Sequence, residues 1–338
     1  MKKKTLISAL LIMLAVITVA SAGCGGKDAG NQNAAEKTHI VFADVMWDSI
    51  VFHNAVAGRI AEEVFGYTWE EMSGSTPLTY ESLLRGDIDV YMEIWTENLP
   101  NYKDDVAAGN IKELSVNFDD NKQGLYVPRY VIEGDAARGI APMAPGLKTV
   151  EDLKNYPDVF KDEEDPSKGR VYGGPPGWEI SMVVENKFYL YGLDEMFNLF
   201  QPGSDTAMSA EMVRAYDRGE ALVAYYWEPT WLLGKYSFIR LSDVPFDPEL
   251  FLSGACDLPA MPVMISASTD FYASNPEFCA FLEKYRTSSA LTSEALAYIQ
   301  DTGDSYEGAA EWFLKQHPEL TSKWLTPEQN QKLTAALS

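Results

Sequence analysis

Histidine is nearly missing from this chain of 338 residues: His39, His53 and His317 are the whole supply, and they are scattered. That weakens any His-based metal site or catalytic triad before motifs are searched. Basic residues are also few, 27 Lys+Arg against 50 Asp+Glu, which leaves a formal charge of −23. A phosphate backbone repels such a surface, so nucleic acid is excluded as a partner, as is polybasic attachment to a membrane surface. There is no GxxxxGK[ST]; Gly234-Lys235 lacks the first glycine and is followed by Tyr236. GxGxxG, HExxH, CxxC and GxSxG are absent too, so the common signatures of nucleotide, zinc-protease, redox and esterase chemistry are not there. Aromatic residues, in contrast, are plentiful, with eight Trp and 18 Tyr. Hydrophobic residues make up 46%, enough for sizeable cores, and the length suits one large domain or two medium lobes.

Long apolar runs are missing everywhere except at the start. Met1–Lys4 is basic, and Leu6–Ala20 is apolar apart from Ser8 and Thr18. That is short for a membrane span and right for a signal peptide. Ser21-Ala22-Gly23-Cys24 follows, and small residues directly before a cysteine resemble the bacterial lipobox. The reading is a lipoprotein signal peptide over 1–23, lipidation at Cys24, and a Gly-, Ala- and Asn-rich tether over 24–37. The expected location is extracytoplasmic, anchored to the cell membrane by the lipidated cysteine. Cys256 and Cys279 remain, and in an oxidising compartment their spacing permits a disulfide without requiring one.

Periodicity predicts alternating strands and helices, hence an α/β protein. Strands are expected at His39–Ala43, Asp87–Trp95, Gly124–Ile132, Arg170–Gly173, Ala221–Trp227 and Met261–Ala267. Pro128 within the third suits an edge or a crossing connection. Helices are expected over Asp48–Phe65, Tyr80–Leu84, Gly177–Leu190 and Ala207–Arg218, with a further helix starting at Val150–Leu153 and a mostly helical C-terminal part. Along Asp87–Trp95, Glu93 and Trp95 share one face with Asp89 and Tyr91. Most carboxylates read as solvated surface. The run Asp162–Asp165 has the composition of a calcium loop or of an exposed acidic turn.

Four tryptophans stand where strands meet helices. Trp47 precedes Asp48-Ser49, an N-cap-like pair. Trp95 and Trp227 end strands, and Trp178 follows Gly173-Gly-Pro-Pro-Gly177. Ligand crevices of α/β sheets lie at the carboxyl ends of strands, so the four point to one kind of place. Trp69, Trp312 and Trp324 lack this setting and read as packing residues.

On four segments the chain resembles the glycine betaine family of solute-binding proteins from ABC importers. They are Met46-Trp-Asp-Ser49, Tyr80–Asp89 leading to Trp95, Gly173–Trp178, and Ala224-Tyr-Tyr-Trp-Glu-Pro-Thr-Trp231. The resemblance implies a two-lobed, periplasmic-binding-protein-like (type II) clamshell with the ligand between the lobes. It places lobe one at 38–125 and 263–338 and lobe two at 126–262, with the strands near Gly124–Ile132 and Met261–Ala267 as the hinge. It implies an aromatic cage of Trp95, Trp178 and Trp227, joined by Trp47, around a quaternary ammonium group. Backbone N–H groups of Glu179 and Ile180, or of Gly173 and Gly174, would hold a ligand carboxylate. Many members carry a His shortly after the Trp95 position; here the stretch is Thr96-Glu-Asn-Leu-Pro100. Glu93, Glu179 and Glu228 sit beside the proposed cage, and extra carboxylates favour a cation without a carboxylate of its own, such as choline, or trimethylamine N-oxide sharing a proton. Carnitine and glycine betaine belong to the same ligand class.

The expected function is thus capture of a quaternary ammonium compound and its delivery to an ABC permease whose ATPase is another chain. The protein is read as a monomer, not an enzyme, with no cofactor and no metal. Two alternatives remain at this level: an extracellular sugar-binding or glycoside-acting lipoprotein, since Trp platforms with carboxylates serve sugars too, and a binding module that feeds a sensor.

Overall fold

The computed structural model describes residues 38–338. The signal-peptide, Cys24 and tether readings fall on 1–37 and lie outside the described residues. No helix among the described residues is long and apolar enough to cross a membrane.

Two five-stranded sheets form, each with helices packed around it. The first contains β1 (His39–Asp44), β2 (Thr68–Ser73), β3 (Val90–Trp95), β4 (Ile111–Phe118) and β10 (Val263–Ser268), in the order β2-β1-β3-β10-β4. The second contains β5 (Lys122–Pro128), β6 (Gly169–Tyr172), β7 (Phe197–Phe200), β8 (Ala224–Glu228) and β9 (Phe238–Arg240), in the order β7-β6-β8-β5-β9. In the first sheet β1 runs parallel to β2 and β3, while β10 is antiparallel to β3 and β4. The second repeats the scheme: β6 is parallel to β7 and β8, and β5 is antiparallel to β8 and β9. The chain is a two-lobed α/β protein.

Two crossings join the lobes, one between β4 and β5 and one before β10. Asn121 ties them together: its Nδ2 donates to the Met261 carbonyl (2.6 Å) and its Oδ1 accepts from the Met261 N–H (3.2 Å). β5 lies wholly in the second sheet, so the first crossing comes ahead of the boundary read from sequence at 125. Pro128 sits in neither an edge strand nor a crossing. It is the last residue of β5, an interior strand, and the chain turns there into the helix Arg129–Glu133.

The expected strands and helices form with shifted ends. The helix Asp48–Ile60 continues as a π-helical turn, Ala61–Phe65, and stops at Gly66 in the left-handed region. The short helix near Tyr80 runs from Thr76 to Arg85. Four strands, β2, β4, β7 and β9, were not expected from sequence, although β4 alternates Leu114, Val116 and Phe118 with Ser115 and Asn117. In β2, Thr-Trp-Glu-Glu-Met-Ser, Trp69 is a half-buried anchor. Its indole lies against Gly58, where a Cβ would come within 2.3 Å of the ring, and edge-on to Phe42 at 5.9 Å. Gly58→Ala is therefore expected to destabilise the first lobe by about 1–3 kcal/mol through overpacking, read by chemical denaturation; an unchanged midpoint would show that Trp69 yields freely.

Cys256 and Cys279 are both free and buried, in different cores, so the disulfide permitted by their spacing does not form. Burial pushes the Cys279 thiol up to about 12. The acidic run is an Arg-tied turn: Asp162 accepts from Arg170 (2.5 Å) and Asn198 (3.0 Å), and Arg170 also pairs with Glu164 (3.1 Å). Burial acts against the Asp162 carboxylate, but these hydrogen bonds outweigh it and hold it at about 2. His53 is a core residue, wedged between Tyr285 and Thr292 and held at about 3 by burial.

Candidate functional site

The four junction tryptophans converge on one cavity between the lobes. Trp47, Trp95 and Trp178 are each 8% exposed and Trp227 is 4% exposed. Trp47 and Trp178 meet edge to face at 5.4 Å and 84°, and Trp178 and Trp227 do the same at 5.0 Å and 84°. Successive perpendicular indoles make the corner of a box, with Trp178 shared by both contacts. The remaining lining is Thr76, Tyr91, Asn98, Leu99, Glu179, Ile180 and Tyr225.

Each wall is set by its local chain. Trp47 is the residue before the helix Asp48–Ile60, and Met46 ahead of it has φ 64°, a left-handed conformation that a non-glycine residue seldom adopts. The Met46 N–H donates to Asp44 Oδ1 (2.7 Å), which holds the turn. Trp95 ends β3 and packs edge-on to Phe118 at 6.0 Å. Trp178 precedes the helix Glu179–Leu190. Trp227 lies on β8 with Tyr225 two residues earlier on the same face, and their rings stack at 6.1 Å and 21°. Across the lobe boundary the Thr76 N–H donates to the Gly177 carbonyl (3.3 Å). The lobes are therefore drawn together over the cavity.

A few polar groups line the cavity. Glu179 opens a helix and lines the cavity, and burial raises its carboxyl above the ordinary range. The first N–H groups of that helix have no carbonyl within it to bond, so the end of the helix favours an anion or a dipole. Asn98 presents a buried side-chain oxygen without a partner, and the Tyr225 hydroxyl donates to Gln123 Oε1 (3.1 Å).

Of the sequence candidates, Trp47, Trp95, Trp178, Trp227, Glu179 and Ile180 come together on the cavity. Glu93, Gly173, Gly174 and Glu228 do not line it. Gly173 pairs with the Phe200 carbonyl as part of the second sheet. Gly174 is a close-approach position, since a Cβ there would meet Ser181 Oγ at 2.4 Å. Glu228 points to Lys122 at 3.9 Å. Glu93 is fully buried behind the walls: its Oε1 accepts from Trp47 Nε1 (2.9 Å), Trp95 Nε1 (3.0 Å) and Ser49 Oγ (3.0 Å). Ser49 thus serves Glu93, not the helix end, which carries no side-chain cap.

The family model described as the substrate-binding domain of ABC-type glycine betaine transport systems matches residues 38–316. The chain belongs to this family. The trimethylamine N-oxide-binding protein of Pelagibacter ubique (strain HTCC1062) is 26% identical over 295 residues, covering 85% of this chain and 90% of that relative. Among solved structures, an ABC-transporter choline-binding protein in complex with choline has a TM-score of 0.70 at 23% identity, covering 89% of this chain and 98% of the other. The lactococcal binding protein in its closed conformation with glycine betaine has a TM-score of 0.65 at 20% identity, covering 85% and 99%. Members of this family are substrate-binding proteins of ABC transporters and not enzymes, so the glycoside-acting alternative falls.

Sequence reasoning missed Thr76, Tyr91, Asn98, Leu99 and Tyr225. Two left a signal: Tyr91 shares the β3 face of Glu93 and Trp95, and Tyr225 shares the β8 face of Trp227. Asn98 and Leu99 lie in the short turn after Trp95, and Thr76 begins a helix from the first lobe. Nothing local marks them as cavity-facing.

Proposed function

We propose that this binding protein captures a trimethylammonium or trimethylamine N-oxide group in the Trp47–Trp95–Trp178–Trp227 cage and hands it to an ABC permease. The observation that carries the reading is the set of interlocked perpendicular indoles around one cavity. A trimethylammonium group has no N–H to donate, so cation–π attraction and dispersion must select it. Each indole face contributes about 0.5–2 kcal/mol when desolvated. The export signal and Cys24 support an extracytoplasmic, lipid-anchored protein. The Asn121–Met261 clasp marks the proposed hinge, with lobe one at 38–121 and 263–338 and lobe two between them.

The polar lining of the cavity narrows the ligand. Glu179 is the one carboxylate among the lining residues, and a ligand carboxylate beside it would be repelled. Choline, which can offer a hydroxyl, and trimethylamine N-oxide, which can share the Glu179 proton, suit it better than glycine betaine. Isothermal titration with choline, trimethylamine N-oxide, carnitine and glycine betaine tests this. Choline or the N-oxide is expected to bind at least about tenfold tighter than glycine betaine, and Glu179→Gln is expected to recover about tenfold of that gap, about 1.4 kcal/mol. Absence of binding by all four, with no change in Trp fluorescence, would end the reading.

A further inference from the structure

Glu93 is the most conspicuous buried group that the cage does not explain. It sits at 0% exposure, one acceptor oxygen takes three donors, and its other oxygen, Oε2, has no partner. Two of the three donors are the indole N–H groups of Trp47 and Trp95, both walls supplied by the first lobe. An ionised acceptor strengthens and shortens such bonds. It also polarises the donor: electron density moves from the N–H into the ring, and the ring face becomes more negative. The attraction of a cation to an aromatic face is electrostatic, so a carboxylate behind two walls strengthens them without touching the ligand.

We propose that Glu93 is a positioning residue that fixes Trp47 and Trp95 and, as a carboxylate, supplies the negative charge that makes their faces select a cation over an uncharged group of the same shape. The inference rests on the cage reading above and deepens it.

Three features support the assignment. Ser49 adds a third donor that no helix cap requires. Glu93 and Trp95 are two residues apart on one strand face, so backbone geometry fixes their relation. Trp47 reaches the same oxygen from another element, so one carboxylate sets the angle between the two walls. Burial alone pushes the Glu93 carboxyl up to about 7 in spite of the hydrogen bonds from Trp95, Ser49 and Trp47. A bound cation then favours the ionised form, and binding weakens as pH falls through about 7. The titratable groups that feel the Glu93 charge are the phenols of Tyr91 and Tyr285, both raised by burial and then by Glu93, and beyond Tyr285 its hydrogen-bond partner His53 is held at about 3 by burial. None of these changes charge near neutrality. Glu179 across the cavity and Asp205, pushed up to about 8 by burial and then by the charge of Asp48, do titrate upward of the usual range; they are common to wild type and variant and cancel in the comparison below.

The test uses choline and its uncharged isostere, in which a tert-butyl group replaces the trimethylammonium. Affinities for both are measured on wild type and Glu93→Gln across neutral pH. The expected result is that wild type prefers choline, that Glu93→Gln lowers this preference at least about tenfold while the isostere binds much as before, and that the fall in choline affinity at low pH is flattened in the variant. Equal losses for both ligands, or an unchanged preference, would overturn the proposal. Should Glu93→Gln not fold, Trp47→Phe and Trp95→Phe keep an aromatic wall but remove the N–H, and each must lose cation preference in the same way or the proposal fails. If wild type binds neither choline nor any other ligand of the panel, the cage reading itself fails, and this inference with it.

Discussion

Trp178→Ala is expected to weaken binding of the preferred ligand about 100-fold, the largest loss at any single wall. The magnitude follows from geometry. Trp178 supplies one face of the cage, about 2 kcal/mol at full desolvation. It is also the edge-to-face partner of both Trp47 and Trp227, and such pairs contribute about 0.5–1.5 kcal/mol each beyond the area they bury. Losing the face and loosening both neighbours exceeds about 2.8 kcal/mol, which is a factor of about 100. Trp312→Ala is the control: Trp312 stacks on Tyr298 at 4.3 Å, away from the cavity lining, and its loss should leave affinity unchanged. A loss below about tenfold for Trp178→Ala, with Trp312→Ala equivalent, would mean that the corner of the box carries little of the binding.

Lys187→Met should destabilise the second lobe by about 3–5 kcal/mol. Lys187 and Asp243 form an ion pair whose side chains are 3% and 4% exposed. The ammonium also donates to the carbonyls of Gly254 (2.9 Å) and Cys256 (2.5 Å), and the Tyr191 hydroxyl donates to the same carboxylate. Methionine fills the space but leaves Asp243 charged and two carbonyls unpaired. Removing one partner of a buried pair is costly for that reason, even where the pair itself adds little net stability. Urea denaturation of the single variant and of Lys187→Met combined with Asp243→Asn separates the effects. The double variant should regain part of the loss, and a single variant within about 1 kcal/mol of wild type would show that water reaches Asp243.

Much of the fold was legible because its causes are local. The stripe Ile180, Val183, Val184, Phe188 predicted the second-lobe helix, and alternation along Asp87–Trp95 predicted β3 and the shared face of Tyr91, Glu93 and Trp95. Lys187 stands in phase with that apolar stripe, a signal that a lysine there needs a buried partner. Its partner, Asp243, is far along the chain, and sequence could not name it. β2, β7 and β9 escaped because they are short or largely polar and are held by their neighbours, whereas β4 has a local signal in Leu114, Val116 and Phe118 that went unread. The cysteines show the same limit: spacing permitted a bridge, but folding sends Cys256 and Cys279 into different cores.

The sequence by itself determined the α/β class, the four tryptophans at strand–helix junctions and the acidic, histidine-poor character of the chain, since periodicity and composition are properties of neighbouring residues. Only the tertiary structure decided what three glutamates of one type do. Glu179 faces the cavity, Glu228 turns to Lys122, and Glu93 disappears behind two indoles. A carboxylate's role depends on its solvent exposure and on which donors surround it, and both are fixed by residues distant in sequence that folding brings into contact.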